Sequence, residues 1–484
     1  MSGREMTNEE KKQLSRERQM AVRHAWKNEK ALAEQGKGTR NWSEGEQKEL
    51  IDTGRVSGYE GHHMKSVSLY PEYAGDSKNI QFLNENEHFN GAHQGNYHNL
   101  TSDIEGFIER DQQVGSYIIS GGVVRNRART AASIVACSLI QNLPVVVLHE
   151  GDLELQNQVA MATAFTNNKV IVTQNTPIYD PFYNRSNQEI CNLIISATNN
   201  SMSIGAIGQQ YIIGIAEFIK SKNIPPYCDM FIRCPHDFLF DKVDDAKSQG
   251  YITDQKATQI RNQLMQGQTE RANVQTFFSQ LAYQGMGVLS TKGSRDTAVN
   301  IKTAVEHNGM IMIDIGSSTN EILVNLIVNE IKELLATGKK IMFVLDEISI
   351  NSNELLLKVI RSLSAKCLTT LLSDDIYSML GADDNLFLSF VGNANKCIVF
   401  SHTVGVSANK WSEVFGYYDV DKVSRNMGNN QNYQWGYGFG SSNSISVNTS
   451  REYIVKPEEL AKMYPSEVYI LDRNVQELAY TTLR

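Results

Sequence analysis

Two histidines stand side by side at His62 and His63, and three more, His88, His93 and His98, follow before Thr101. Five of the ten histidines thus fall in one short polar stretch. Imidazole suits zinc and other transition metals, and a neutral imidazole also takes up a proton near neutral pH. Hydrolysis of a phosphodiester calls for both abilities. A metal neutralises charge on the scissile phosphate and leaving oxygen, a base activates water, and a further group holds that base in one tautomer. Adjacent residues on an extended segment point to opposite sides. One of His62 and His63 can therefore bind metal while the other faces water. Asn79 can hold the base through its side-chain amide or its backbone. His88 and His93, at the start of a short helix, can supply the remaining ligands. The competing reading is a structural site of surface histidines.

These residues need elements to place them. Thr7 and Glu10 form a capping-box pattern that opens a helix running to about Glu34, and Gly36 and Gly38 suit its end. Mixed charges suggest a solvated helix with one narrow apolar stripe. This gives an N-terminal helix over 1–35 and a compact polar unit over 36–101. After about Ser102 the composition changes. Apolar strand-length runs (116–119, 145–149, 170–172, 309–313, 341–345, 396–400) alternate with helical patterns (129–139, 320–336, 352–363), which suits parallel strands covered on both faces. Within a second unit over 111–484, the stretch 188–303 reads as a mainly helical insertion. The Gly/Asn/Ser-rich stretch 427–450, with Trp435 among its aromatics, reads as a mobile loop that could also stack on bases.

The segment from about Gly36 to Asn99 resembles the HNH/endonuclease VII superfamily nucleases with a Gly-His-His signature, common as toxin domains of bacteria. Gly38-Thr39-Arg40-Asn41-Trp42, Gly61-His62-His63, Asn79-Ile80-Gln81-Phe82-Leu83, Glu87-His88 with His93, and Gly95-Asn96-Tyr97 come in that family's order. The resemblance implies an α+β, ββα-metal fold and a divalent ion: Mg²⁺, Mn²⁺ or Zn²⁺. By position it makes His62 a metal ligand and His63 the general base. Asn79 would orient the base, and His88 and His93 would complete the metal site. Four residues separate His88 from His93, where many relatives have three, which leaves open which of the two binds metal directly.

From about Asp111 onward the chain resembles the type IV coupling proteins of the FtsK/HerA group of hexameric DNA-pumping ATPases. The run Ile341 to Leu345 followed by Asp346-Glu347 has the Walker B pattern, and Leu368 to Met379 stands where that family has its sensor strand. Lys456 to Tyr464 and Glu467 to Leu471 look like its C-terminus. The implied fold is an α/β RecA-like P-loop NTPase-type domain with an all-α insertion. Asp346 would hold magnesium and Glu347 would polarise water. The phosphate loop departs from the pattern. Gly121 and Gly122 follow the strand Tyr117 to Ile119, but Ala128 replaces the last glycine and Arg129-Thr130 stands for Lys-Thr. Arginine does not substitute simply for lysine there. Gly122, Arg129, Thr130, Asp346 and Glu347 are the candidate nucleotide residues. Two readings stand open: a scaffold that binds ATP weakly or not at all, and an ATPase with an unusual loop. Arg125, Arg127 and Arg129 could instead meet DNA phosphates.

Composition narrows the setting. At 484 residues the chain is long enough for two or three domains, and its net charge of −8 argues against a broadly basic surface. Cys137, Cys191, Cys228, Cys234, Cys367 and Cys397 form no C-x-x-C pair and read as free thiols of a reducing cytoplasm. No signal peptide and no membrane-spanning run is visible. The expectation is a cytoplasmic DNA endonuclease, in a homo-oligomer that is a hexamer by family analogy, with a partner protein as activator and anti-phage defence as its setting. The rivals are a conjugative DNA-translocating motor with an accessory nuclease, a non-catalytic zinc-bound assembly protein, and an exported toxin.

Overall fold

The structure is a computed structural model that describes residues 7–40, 42–67, 70–85, 87–93, 97, 114–173, 175–198, 204–316, 319–349, 354–403, 405–429 and 441–482. Asn41, Gly95, Asn96, His98 and the stretch 430–440 with Trp435 lie outside the described residues.

The N-terminal unit is small and α+β. Helix α1 (Asn8–Ala33) opens on the expected capping box, with Thr7 as N-cap and Glu10 reaching back. Helix α2 (Glu44–Thr53) follows, and strand β1 (Tyr59–His63) then pairs antiparallel with β2 (Ile80–Asn84). Helix α1 is exposed along most of its surface, and through one narrow stripe it shares a core with the strands. Ala21, Ala25 and Ala33 pack with Trp42, Leu50, Ile80 and Phe82. Spacings of four and eight place these alanines on one face. Glu29, on that face, is buried but satisfied: Thr39 N, Thr39 Oγ1 and Trp42 Nε1 donate to its carboxylate at 2.8, 2.6 and 2.8 Å. The chain after α1 is thereby tied back to it.

The large unit is built on a nine-stranded sheet. Its strands are β3 (Tyr117–Ser120), β4 (Val145–His149), β5 (Lys169–Val172), β6 (Met310–Asp314), β7 (Met342–Asp346), β8 (Leu368–Ser373) and β9 (Lys396–Val399), all parallel. A separate ribbon of β10 (Tyr417–Asn429) and β11 (Ser441–Tyr453) follows. Strands β12 (Glu467–Asp472) and β13 (Glu477–Thr482) then add an antiparallel edge. The order is β13-β12-β9-β3-β8-β7-β4-β6-β5. Strand β8 separates β3, which leads into the candidate phosphate loop, from β7, which ends in Asp346. This is the RecA-like arrangement. Alternate residues of one strand enter different cores: Val145 and Val147 one face, Val146 and Leu148 the other. Burial on both faces explains why these strands read as unbroken apolar runs. Between β5 and β6 the chain is mainly helical, as expected.

Two local expectations give way. Helix α3 spans Val124–Ile140, so it begins five residues earlier than its apolar pattern suggested. The stretch read as a loop over 427–450 is in large part paired strand, with Met427 opposite Asn443 and Val423 opposite Val447. Its Ser, Asn and Gly content resembles loop composition, yet cross-strand pairing satisfies the backbone of such residues equally well.

The two units meet at helix α4 (Leu153–Ala162). A turn of the small unit packs on it, and Gln81 Nε2 donates to Met161 O at 3.3 Å. Lys169 Nζ closes the end of α4, donating to Ala160 O and Thr163 O at 3.2 and 3.0 Å. Burial lowers this ammonium to about 8, with Glu87 opposing the shift.

Candidate metal centre

The Gly-His-His string has a packing reason for its first residue. A Cβ on Gly61 would lie 2.8 Å from Val22 Cγ1 of α1 and 3.1 Å from Ile80 Cγ2. Only glycine lets α1 lie on β1 at this level. His62 and His63 then leave the strand on opposite sides.

On one side, His62 meets His88 and His93. Ring centroids are 5.0 Å apart for His62–His88, 5.0 Å for His62–His93 and 4.9 Å for His88–His93. One nitrogen from each lies within 4.8 Å of the others. The long spacing between His88 and His93 is resolved by the backbone. Glu87–Ala92 is a π-helical turn, and His93 N donates to His88 O at 3.0 Å, an i→i+5 bond. In an α-helix, residues five apart would stand about 140° apart. The wider turn brings both rings to one face, a use of π geometry common at functional sites. Its first residue is clamped: Arg40 forks onto the Glu87 carboxylate at 2.7 and 2.9 Å and also donates to Phe82 O at 3.0 Å. Asn84 Oδ1 accepts from Glu87 N at 2.9 Å. Behind His88, its Nδ1 lies 2.8 Å from Glu60 Oε2. The Tyr97 ring stands 5.4 and 5.5 Å from those of His88 and His93.

On the other side, His63 Nε2 is 3.3 Å from Ala74 O. A carbonyl only accepts, so Nε2 carries the proton and Nδ1 keeps its lone pair. Asn79 works on the backbone next to this ring. Its Oδ1 accepts from Lys65 N at 2.9 Å, its Nδ2 donates to Lys65 O at 3.2 Å, and its own carbonyl accepts from Met64 N at 2.9 Å. The chain leaving His63 is thereby fixed to the start of β2.

Electrostatics keep both neighbours neutral. Burial first, then His88, His93 and His63, push His62 down to about 3. Burial also lowers His63, the Ala74 carbonyl opposes this, and Arg18 of α1 adds to it. His62 is only 6% exposed. Neutral imidazoles with convergent lone pairs are the form that ligates a cation. Three convergent imidazoles suit a transition-type ion with positions left for phosphate oxygen and water. The residues present therefore fit a metal. Sequence reasoning gave no role to Glu60, Arg40 or Ala74. Glu60 carried a signal, because it precedes His62 by two and shares its strand face. Ala74 carried none.

The candidate nucleotide residues are only partly brought together. Gly122 follows β3, Asp346 ends β7 and Glu347 follows it, and the Arg127 side chain joins the Gly122 carbonyl to Glu347. Arg129 and Thr130 do not join them, which corrects their expected place in a phosphate loop. Because α3 starts at Val124, both lie about 8 Å along the helix, and Thr130 Oγ1 is spent on Asn126 O at 2.8 Å. The loop amides are also engaged: Gly121 N donates to Ser373 O at 3.0 Å and Gly122 N to Ser401 O at 2.8 Å. Arg127, one of the three arginines expected to meet DNA phosphates, fills the space. It donates to Gly121 O and Gly122 O at 3.2 and 2.8 Å and to Glu347 Oε1 at 2.9 Å. Burial, then Asp152, push Asp346 up to about 9. Arg127 thus occupies the loop carbonyls and the Glu347 carboxylate that frame the candidate phosphate site.

Comparison with known proteins agrees with the nuclease side. Residues 8–84 match the family described as GHH signature containing HNH/Endo VII superfamily nuclease toxin. The N-terminal unit is therefore a nuclease-family domain. The match takes in α1, His62, His63 and Asn79, and ends before the π turn. Teneurin-3 of Mus musculus is 40% identical over 86 residues, 18% of this chain and 3% of that one. Teneurin-1 of Homo sapiens is 44% identical over 71 residues, 14% and 3%. The chain spans about 3% of the length of these curated relatives. Among solved structures, the bacterial conjugative coupling protein TrwB, unbound, aligns with a TM-score of 0.44 at 12% identity over 76% of this chain and 84% of that one. VirB4 of Thermoanaerobacter pseudethanolicus aligns at 0.33 and 12% identity over 65% and 83%. Among the described residues no helix is long and apolar enough to cross a membrane.

Proposed function

We propose that this chain is a metal-dependent DNA endonuclease whose RecA-like domain serves as an assembly scaffold. The observation that carries the reading is the convergence of three imidazoles on one side of β1, with His63 held in one tautomer on the other. His62, His88 and His93 would hold the ion, which when bound neutralises charge on the scissile phosphate and leaving oxygen. His63 Nδ1 takes the proton of the attacking water. Ala74 O keeps that ring oriented, and Asn79 fixes the backbone beneath it. Arg18 lies near His63 on the exposed side of α1, where a phosphate would approach.

The scaffold part rests on the engaged amides of Gly121 and Gly122 and on Arg127. A ring of such chains, a hexamer by family analogy, would present several cutting centres to DNA, and a partner protein could supply the trigger. Anti-phage defence in a cytoplasm suits a nuclease of this build, and the six cysteines, all free, accord with a reducing compartment. A conjugative motor would need ATP, against which the filled phosphate loop weighs.

The test is incubation of the protein with plasmid and linear DNA under Mg²⁺, Mn²⁺, Zn²⁺ or EDTA, each with and without ATP, beside His63→Ala. Metal-dependent cutting by wild type alone supports the reading. Cutting that survives His63→Ala overturns the mechanism, and tight metal binding without any cutting favours the zinc-bound assembly protein.

A further inference from the structure

This inference rests on reading His62, His88 and His93 as metal ligands. Their nitrogens converge within 4.8 Å, and Glu60 stands outside that set, behind His88. It lies two residues before His62, so both occupy one face of β1. The π turn folds back from the end of β2 over that face, which brings His88 Nδ1 to 2.8 Å from Glu60 Oε2. A carboxylate only accepts, so Nδ1 carries the proton and Nε2 presents its lone pair. The carboxylate side chain is 67% exposed and the imidazole 13% exposed. The acid therefore stays hydrated while the ring it holds is enclosed, and the contact costs little desolvation.

We propose that Glu60 is a positioning residue of the metal centre. It fixes the tautomer and rotation of His88 so that Nε2 is the ligating atom, and it raises the basicity of that nitrogen through the shared proton. Ligating histidines commonly have such a carboxylate partner, and its loss weakens metal binding without removing a ligand. The role is distinct from that of Glu87, which clamps the backbone of the same turn through Arg40.

The 484-residue chain, stripped with EDTA, is titrated with Co²⁺ and followed by visible absorption and calorimetry. Glu60→Ala should weaken Co²⁺ binding roughly 10- to 100-fold, with the thermal midpoint of the metal-free protein unchanged. Glu60→Gln keeps an acceptor for Nδ1–H and should fall between wild type and Glu60→Ala. In a His88→Ala background, Glu60→Ala should change nothing further. Wild-type affinity in Glu60→Ala, or an equal loss in both backgrounds, overturns the role while leaving the ligand set standing. Wild-type Co²⁺ binding by His62→Ala, His88→Ala and His93→Ala alike overturns the ligand set, and this inference with it.

Discussion

Arg127 Nη2 and Glu347 Oε1 lie 2.9 Å apart although 220 positions separate them in the chain. Glu347 sits at φ 52°, in the left-handed region, and its carboxylate also accepts from Ser373 Oγ and Asp374 N at 2.8 Å each. One guanidinium thus ties α3 to the end of β7 through the place where phosphates would otherwise lie. ATP should therefore neither bind nor alter DNA cutting. Isothermal titration with ATP and Mg²⁺ checks this, and a saturable heat in the micromolar range would refute it. Arg127→Ala should lower stability by about 2 kcal/mol, because a charge-assisted hydrogen bond is lost and Glu347 keeps fewer partners. Chemical denaturation reads that change.

His62 and His63 adjoin in sequence but should separate in experiment. His63→Ala should abolish cutting and retain bound metal. His62→Ala should lose both. Metal content by atomic emission, set beside a plasmid assay, checks the pair. Loss of metal in His63→Ala would assign that ring to the ligand set instead.

Acid should act on the metal-free protein through His62. Its ordinary value of 6.5 falls to about 3 in the fold. The unfolded chain therefore binds the proton more readily, and stability rises with pH between those values. The contribution is complete above about 6.5 and lost as pH falls toward about 3. Thermal midpoints of EDTA-treated protein across this window should drop with acid, and His62→Gln should flatten the drop. His63 is also lowered, so cutting should persist somewhat below pH 6.5 before it fails.

Gly61→Ala should displace α1, since the added methyl would meet Val22 at 2.8 Å. Overpacking of this kind costs about 1–3 kcal/mol. Adding Val22→Ala should restore part of the loss. Urea midpoints of the single and double variants give the comparison.

The histidines were legible in the sequence because adjacent polar residues on a short strand have one simple disposition. The parallel sheet was legible because strands buried on both faces leave unbroken apolar runs. The π turn was not, since a five-residue spacing matches neither common helix nor strand, and only the His93 N to His88 O bond reveals it. Glu60 was within reach of a period-two reading. The start of α3 was missed because Val124 and Arg125 carry no helical signature, and the helix begins there because the strand before it has already turned at Gly121 and Gly122. Arg127 looked like one of three arginines in a loop until its carbonyl partners were seen.

Helix α4 supports the turn that carries His88 and His93, while His62 hangs from β1. All three imidazoles belong to the small unit, and α4 of the large unit packs against the turn that carries two of them. That packing couples the candidate metal centre to the nine-stranded sheet. It also gives the nuclease a fixed bearing on the sheet, so chains gathered into an assembly would carry their cutting centres at regular intervals, and the distances between cuts would record the geometry of that assembly.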